Sequence, residues 1–195
     1  MKKRKISVLL IIGICLIAVS LGLLVYTRIS AYTGNSNSRS VAEKISEGLP
    51  ERTAGIPLSH SITAMPAREI NGRDYVALID IPAYDLTLPV ADKWDSSKLH
   101  SSPIRFSGSA YDNTLVIGGS DNEGQLSFCD KIENNTEITV TDMTGAEYQY
   151  KVSRVDRSRS ADADWLSSAE YDLTLFCKDT YSMEYIAVRC TYIYK

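Results

Sequence analysis

The sequence predicts a mostly β fold, a closed barrel or a sandwich of about seven or eight short strands with few helices, preceded by one N-terminal membrane-spanning helix. Three observations predict it. Short runs of alternating apolar and polar residues recur between turn signals from residue 73 onward. Two such runs, 137–141 and 147–153, flank Met143-Thr-Gly145 in the manner of a hairpin. Ahead of them, Ile6 to Tyr26 is apolar and uncharged, broken only by small residues and two serines, and it follows the basic cluster Lys2-Lys-Arg-Lys5.

Residues 6–26 are long enough to cross a hydrocarbon core of ~30 Å as a helix. No small-x-small cleavage site precedes Thr27-Arg28, so a retained anchor is expected rather than a cleaved leader. The basic residues within 1–5 are expected to stay cytoplasmic, which places the C-terminal part outside a single-pass membrane protein. Residues 27–72 read as stalk and linker. The Ser/Asn/Thr-rich stretch 27–40 is expected to be flexible, and Ser40 with Glu43 has the form of a capping box opening a short helix near 41–48. Pro50, Gly55, Pro57 and Pro66 then break any periodicity up to about residue 70.

The globular part is expected over residues 73–195. Tyr75–Ile81 is a strand halted by Pro82, and Leu86–Val90 is a second strand whose Pro89 marks an edge or an end. Residues 92–103 read as turn and short helix, and 113–118 as a strongly apolar strand closed by a Gly118-Gly119 turn. Leu126–Ile132 is one helical turn or two, and 156–168, rich in Ser, Asp and Arg, is a long exposed loop. Two strands end the chain. Leu173, Leu175 and Cys177 alternate with Thr174, Phe176 and Lys178; after a polar loop, Ile186, Val188 and Cys190 alternate with Tyr185, Ala187 and Arg189. One face is apolar and thiol-bearing, the other mixed and polar.

Charge and cysteine usage narrow the partners. Four of the 21 Lys and Arg lie in residues 2–5 and every Asp and Glu follows residue 40, so the remainder has 17 cations against 24 anions, a net charge of −7. An acidic exterior is a poor match for nucleic acid or an anionic membrane face, and no nucleic-acid partner is expected. Cys15 lies in the anchor; Cys129, Cys177 and Cys190 lie outside it, an odd number. The final hairpin can bring Cys177 and Cys190 close enough for a disulfide, but two free buried thiols are expected. His60 and His100 lack ligand-like neighbours and there is no CxxC pair, so neither a metal nor another cofactor is expected.

Five segments, in order, resemble the sortase family, the membrane-anchored cysteine transpeptidases of Gram-positive cell surfaces. They are Ile79-Asp-Ile-Pro82, Leu86-Thr-Leu-Pro-Val90, Pro103 through Ile117, Ile138 through Val152, and Leu173-Thr-Leu-Phe-Cys-Lys178 through Cys190. The resemblance covers roughly 73–190 and implies a sortase-like closed β-barrel. In the family a Cys thiolate attacks the peptide bond of a sorting signal, a His exchanges the proton, and an Arg hydrogen-bonds substrate and oxyanion. The ungapped match puts Ser120 at the His position, Lys178 at the Cys position and Tyr185 at the Arg position. A hydroxyl does not titrate in the useful range, an ammonium is no thiolate, and a phenol has no guanidinium fork.

The resemblance therefore implies a pseudo-sortase whose vestigial groove, Ser120, Lys178 and Tyr185, binds a sorting-signal-like peptide, a surface protein or another sortase. The alternative is an active transpeptidase with Cys177 as nucleophile, although strand parity turns Cys177 toward the Leu173 and Leu175 face, the expected core. A structural module of the cell envelope, unrelated to sorting signals, is the third reading.

Overall fold

The computed structural model describes residues 8–57 and 64–194, with backbone alone for residues 8, 9 and 27–37. They divide into two compact units, Met1–Thr33 and Gly34–Lys195. The first carries the opening turns of helix α1, Val8–Gly48. Between Leu10 and Tyr26 this helix exposes Leu, Ile and Val on every side and is not amphipathic. Among the described residues no helix is long and apolar enough to cross a membrane. The basic cluster and the start of the expected anchor, residues 1–7, lie outside the described residues.

The second unit is built on ten strands: β1 (Thr53–Ala54), β2 (Arg68–Ile70), β3 (Arg73–Ile81), β4 (Leu86–Ala91), β5 (Ile104–Ser107), β6 (Leu115–Ser120), β7 (Glu137–Asp142), β8 (Ala146–Ser158), β9 (Leu173–Lys178) and β10 (Tyr185–Tyr192). Eight of them close a barrel in the order β3-β4-β5-β6-β9-β10-β8-β7 and back to β3; β1 and β2 are short additions on β8 and β3. The period-2 alternation decides what fills the interior. Ile79 and Ile81, Leu115 and Ile117, Ile138 and Val140, Leu173 and Leu175, and Ile186 and Val188 form one apolar cluster with Cys129, Cys177 and Cys190.

The β7–β8 hairpin turns on Gly145, whose φ of +85° suits a residue without Cβ. The Asp142 carboxylate holds that turn, accepting from the Thr144 and Ala146 amides and from the Tyr111 hydroxyl. The circuit is weakest between β4 and β5. Those parallel strands share a single register pair, Ala91 with Ile104, and Pro89 is paired with Leu78 of β3 on its other side. Proline has no amide hydrogen to offer a second neighbour.

Four sequence expectations are corrected. The stretch 27–40, expected as a flexible stalk, is helical, and the helix expected near 41–48 is only the last part of α1. Its Val41, Ala42 and Ile45 pack with Tyr75, Leu78, Ala91 and Ile104 on the outside of β3–β5. Once docking has formed those turns, adding further residues costs little, so poor helix formers are carried along. The linker contributes β1 and β2, so the globular unit starts well before residue 73. The loop at 156–168 opens with the end of β8 and contains helix α2 (Ala163–Leu166), capped by Asp162 accepting the Trp165 amide at 2.8 Å, with Leu166 buried. Gly118 and Gly119 lie within β6 rather than in a turn after it.

Candidate functional site

Three strand ends meet at one rim. Ser120 is the last residue of β6, Lys178 the last of β9 and Tyr185 the first of β10. The parallel β6–β9 pairing sets Ser120 opposite Lys178, and the antiparallel β9–β10 pairing sets Lys178 opposite Tyr185. The three residues assigned by resemblance thus stand side by side across adjacent strands. Lys178 is exposed, and its ammonium lies 5.6 Å from the centroid of the Tyr185 ring. The Ser120 hydroxyl accepts from the Asn122 amide at 3.4 Å, and the Ser120 carbonyl accepts from the Leu126 amide at 3.0 Å. The rim therefore offers a hydroxyl, an ammonium and a phenol. The cation leans on the ring, which suits it to binding carboxylate or carbonyl oxygens.

Cys177 faces the other way. It is 1 % exposed, packs in the barrel interior with Leu173 and Leu175, and directs its thiol at the Leu126 carbonyl at 3.7 Å. Cys190 is register partner to Leu173 whereas Cys177 is partner to Ile186, so the two do not face each other across the hairpin, and both are free and buried. His100 is exposed and uses its backbone carbonyl to accept from Gln125 at 2.8 Å. His60 lies outside the described residues. Among the described residues no group of three His, Cys, Asp or Glu could hold a metal ion.

The outer face of β9 and β10 is not the open polar face that alternation predicts. Thr174, Phe176 and Ala187 are buried there with Val116 and Leu166. Arg189, only 1 % exposed, ties the cover down. Its guanidinium donates to the carbonyls of Leu166 (2.9 Å) and Trp165 (2.5 Å), to the Thr174 hydroxyl (3.1 Å) and to the Asp156 carboxylate (3.1 Å). The Trp165 ring lies 4.8 Å from that guanidinium. Planar, multi-donor and always charged, guanidinium is the one side chain able to satisfy so many acceptors at once.

Beside this cover stands an aromatic group that sequence reasoning missed. Trp94 meets Phe106 edge-on at 4.9 Å and stacks on Phe176 at 5.8 Å, leaving 38 % of the indole residue exposed. A Cβ on Gly118 would come within 2.7 Å of both the Trp94 and Phe176 rings, and one on Gly119 within 2.7 Å of Leu126 inside the barrel. The Gly-Gly pair is thus a place where rings and side chains lie on the backbone. Glycines inside an apolar strand were the available signal for such an approach.

The β9–β10 loop is firmly held yet displays apolar tips. Asp121 accepts the Thr180 amide at 2.7 Å and its hydroxyl at 2.9 Å, joining the end of β6 to this loop. Asp179 accepts from the Tyr181 amide at 2.8 Å and the Ser182 hydroxyl at 2.8 Å. Those donors, the Tyr181 amide foremost, hold the Asp179 carboxyl below its ordinary range. On this frame Tyr181 is 97 % and Met183 60 % exposed.

A closed eight-stranded barrel with a polar rim at the ends of two parallel strands defines the architectural class. The family follows from a sortase-domain model that matches residues 79–190: the chain belongs to the sortase family. Its fold is similar to sortase A from Corynebacterium diphtheriae, with 17 % identity, a TM-score of 0.54 and coverage of 86 % of this chain and 92 % of that one. A lid mutant of the same enzyme matches at 20 % identity and TM-score 0.54, covering 63 % of this chain and 72 % of that one. A Clostridium perfringens sortase D5 transpeptidase matches at 21 % identity and TM-score 0.54, covering 65 % and 83 %. At these identities the structures speak for the fold alone. No curated protein matches.

Proposed function

We propose that this protein is a catalytically inactive sortase-fold module of a Gram-positive-type cell surface, which binds an extended peptide at the Ser120–Lys178–Tyr185 rim without transferring it. The peptide is a sorting signal, a segment of a surface protein or part of another sortase. One observation carries the reading: the exposed end of β9 presents Lys178 between Ser120 and Tyr185, while the nearest thiol, Cys177, is turned into the core. Lys178 pairs with carboxylate or carbonyl oxygens, Tyr185 packs on an extended chain, and the held loop adds Tyr181 and Met183 as apolar contacts. The alternative, Cys177 as a working nucleophile, requires a buried thiol to reach a substrate past its own strand.

The N-terminal helix is read as a single-pass anchor with its basic end in the cytoplasm. Support comes from the uncharged run 6–26 and from the apolar side chains exposed on every side between Leu10 and Tyr26. Cell fractionation checks this half. The protein should sediment with membranes and lose its C-terminal unit to external protease after wall removal; a soluble form beginning near residue 28 would overturn the anchor.

Peptide binding and turnover check the other half. Leu-Pro-x-Thr-Gly-type peptides should bind the full-length protein, bind more weakly to Lys178→Glu and Tyr185→Ala, and be neither cleaved nor transferred above background. Turnover abolished by Cys177→Ala would replace this reading with the active transpeptidase. Absence of binding to any sorting-signal peptide would leave the envelope module.

A further inference from the structure

Two of the interior cysteines converge on one atom. The Leu126 carbonyl accepts the Cys129 amide at 3.0 Å and lies 3.7 Å from the Cys177 thiol. Both side chains belong to the same apolar cluster and all four cysteines are free. Beyond the effect of burial, the Cys129 thiol is raised more by the neighbouring Cys177 than by Cys190, and Cys190 lies opposite Leu173, four residues along β9 from Cys177. Cys177 also forms part of the wall of a cavity of ≈ 160 Å³, which Asp121, Asp130, Lys131 and Tyr181 line toward the rim.

We propose that Cys129 and Cys177 are a thiol–disulfide pair, oxidised by a low-molecular-weight disulfide to an intramolecular bridge that locks the turn after Ser120 onto β9. The step balances. One thiolate attacks the external disulfide RSSR, forming a mixed disulfide and releasing the first RS⁻. The second thiolate attacks the protein sulfur of that adduct, closing the Sγ–Sγ bond and expelling the second RS⁻. The two protons from the protein thiols leave as two RSH; the protein loses two electrons and RSSR gains them.

Burial governs when this happens. It holds the Cys129 thiol well above its ordinary value, so exchange in the folded barrel waits for local opening and proceeds readily during folding. The bridge acts on the rim through short links. Leu126 donates to the Ser120 carbonyl three residues before Cys129, and Cys177 immediately precedes Lys178. An oxidised chain has the Ser120 and Lys178 ends of the rim covalently coupled, in keeping with an oxidising exterior.

Thiol counting on the full-length chain tests the proposal. The protein is refolded in glutathione buffers from fully reduced to fully oxidised, quenched in acid, unfolded and labelled with a maleimide. Cys129 and Cys177 should both lose their labels on oxidation while Cys190 keeps its own, peptide mapping should link Cys129 to Cys177, and Cys190→Ser should leave the link unchanged. The bridged form should melt roughly 5–10 °C higher than the reduced form. Labels kept on Cys129 and Cys177 at every ratio, a bridge that includes Cys190, or a stable glutathione adduct on Cys129 or Cys177 as end product would each overturn it. The wild-type count needs no variant that folds poorly, and failure here leaves the peptide-binding reading untouched.

Discussion

The Arg189 guanidinium meets the Asp156 carboxylate at 3.1 Å between β10 and β8, behind the segment that carries Trp165 and Leu166. In this fold an arginine two turns of alternation beyond the rim is a structural fastener. It joins two strands and clamps a loop over their outer face.

Arg189→Met should therefore lower stability by roughly 2–4 kcal/mol, because it strands two carbonyls, a hydroxyl and a carboxylate in a covered site. A urea titration checks the loss, and limited proteolysis should show cutting within 159–168 before global unfolding. Asp156→Asn should cost less, since the guanidinium keeps its other acceptors. Equal stability of Arg189→Met and wild type would contradict the fastener.

Gly118→Ala should destabilise by about 1–3 kcal/mol, since the new methyl group displaces the Trp94 and Phe176 rings. Trp94 then moves toward solvent, and its emission should shift to the red. The paired variant Gly118→Ala with Trp94→Ala should recover part of the loss by making room.

Cys177→Asp and Lys178→Asp test strand parity by one-residue displacement of the same charge. The first buries a carboxylate among Leu173, Leu175 and Ile186 and should prevent folding or cost more than about 3 kcal/mol. The second places it on an exposed strand end and should melt within a few degrees of wild type. Thermal denaturation separates the two, and equal tolerance would show that β9 is turned the other way.

High pH should unfold this barrel. Burial pushes the Tyr150 phenol well above its ordinary value, Tyr148 is pushed up to about 12, and burial also raises the Cys190 thiol. Tyr111 rises through burial and its hydrogen bond to the Asp142 carboxylate. In each case the folded state holds its proton more tightly, so the stabilisation is complete below the unfolded values of 9.0 for thiols and 10.0 for phenols. It is lost as pH climbs through the folded values. Melting temperatures should fall from pH 9 to 11 while tyrosinate absorbance rises together with unfolding; a flat profile would contradict this.

Parity was legible in the chain wherever one face is core. The alternation of Leu173, Leu175 and Cys177 turned the thiol inward before any fold was known, and Met143-Thr-Gly145 marked its hairpin. Closure was not legible, because the parallel register of β6 with β9 joins strands some fifty residues apart through backbone groups that every sequence shares. The covered outer face was missed for a related reason. Thr174 and Arg189 look solvent-facing by side-chain type, and only two carbonyls of a distant loop together with Asp156 of β8 make a buried arginine affordable. The helical course of residues 27–40 overrides local propensity in the same way, through docking of the turns that follow.

The meeting of β4 and β5 at one register pair leaves the barrel as a rolled sheet stitched at seven joins and barely tacked at the eighth. Fluctuations that uncurl the roll will start there, exposing the interior edge before the continuous ladders β8–β10 or β6–β9 loosen. A bare edge invites a strand from another molecule to complete it. Pro89 blunts that invitation by withholding an amide, so the chain tolerates a breathing seam without offering neighbours a full template. Replacing Pro89 with valine would exchange that protection for a better ladder, with intermolecular β-sheet as the consequence at high concentration.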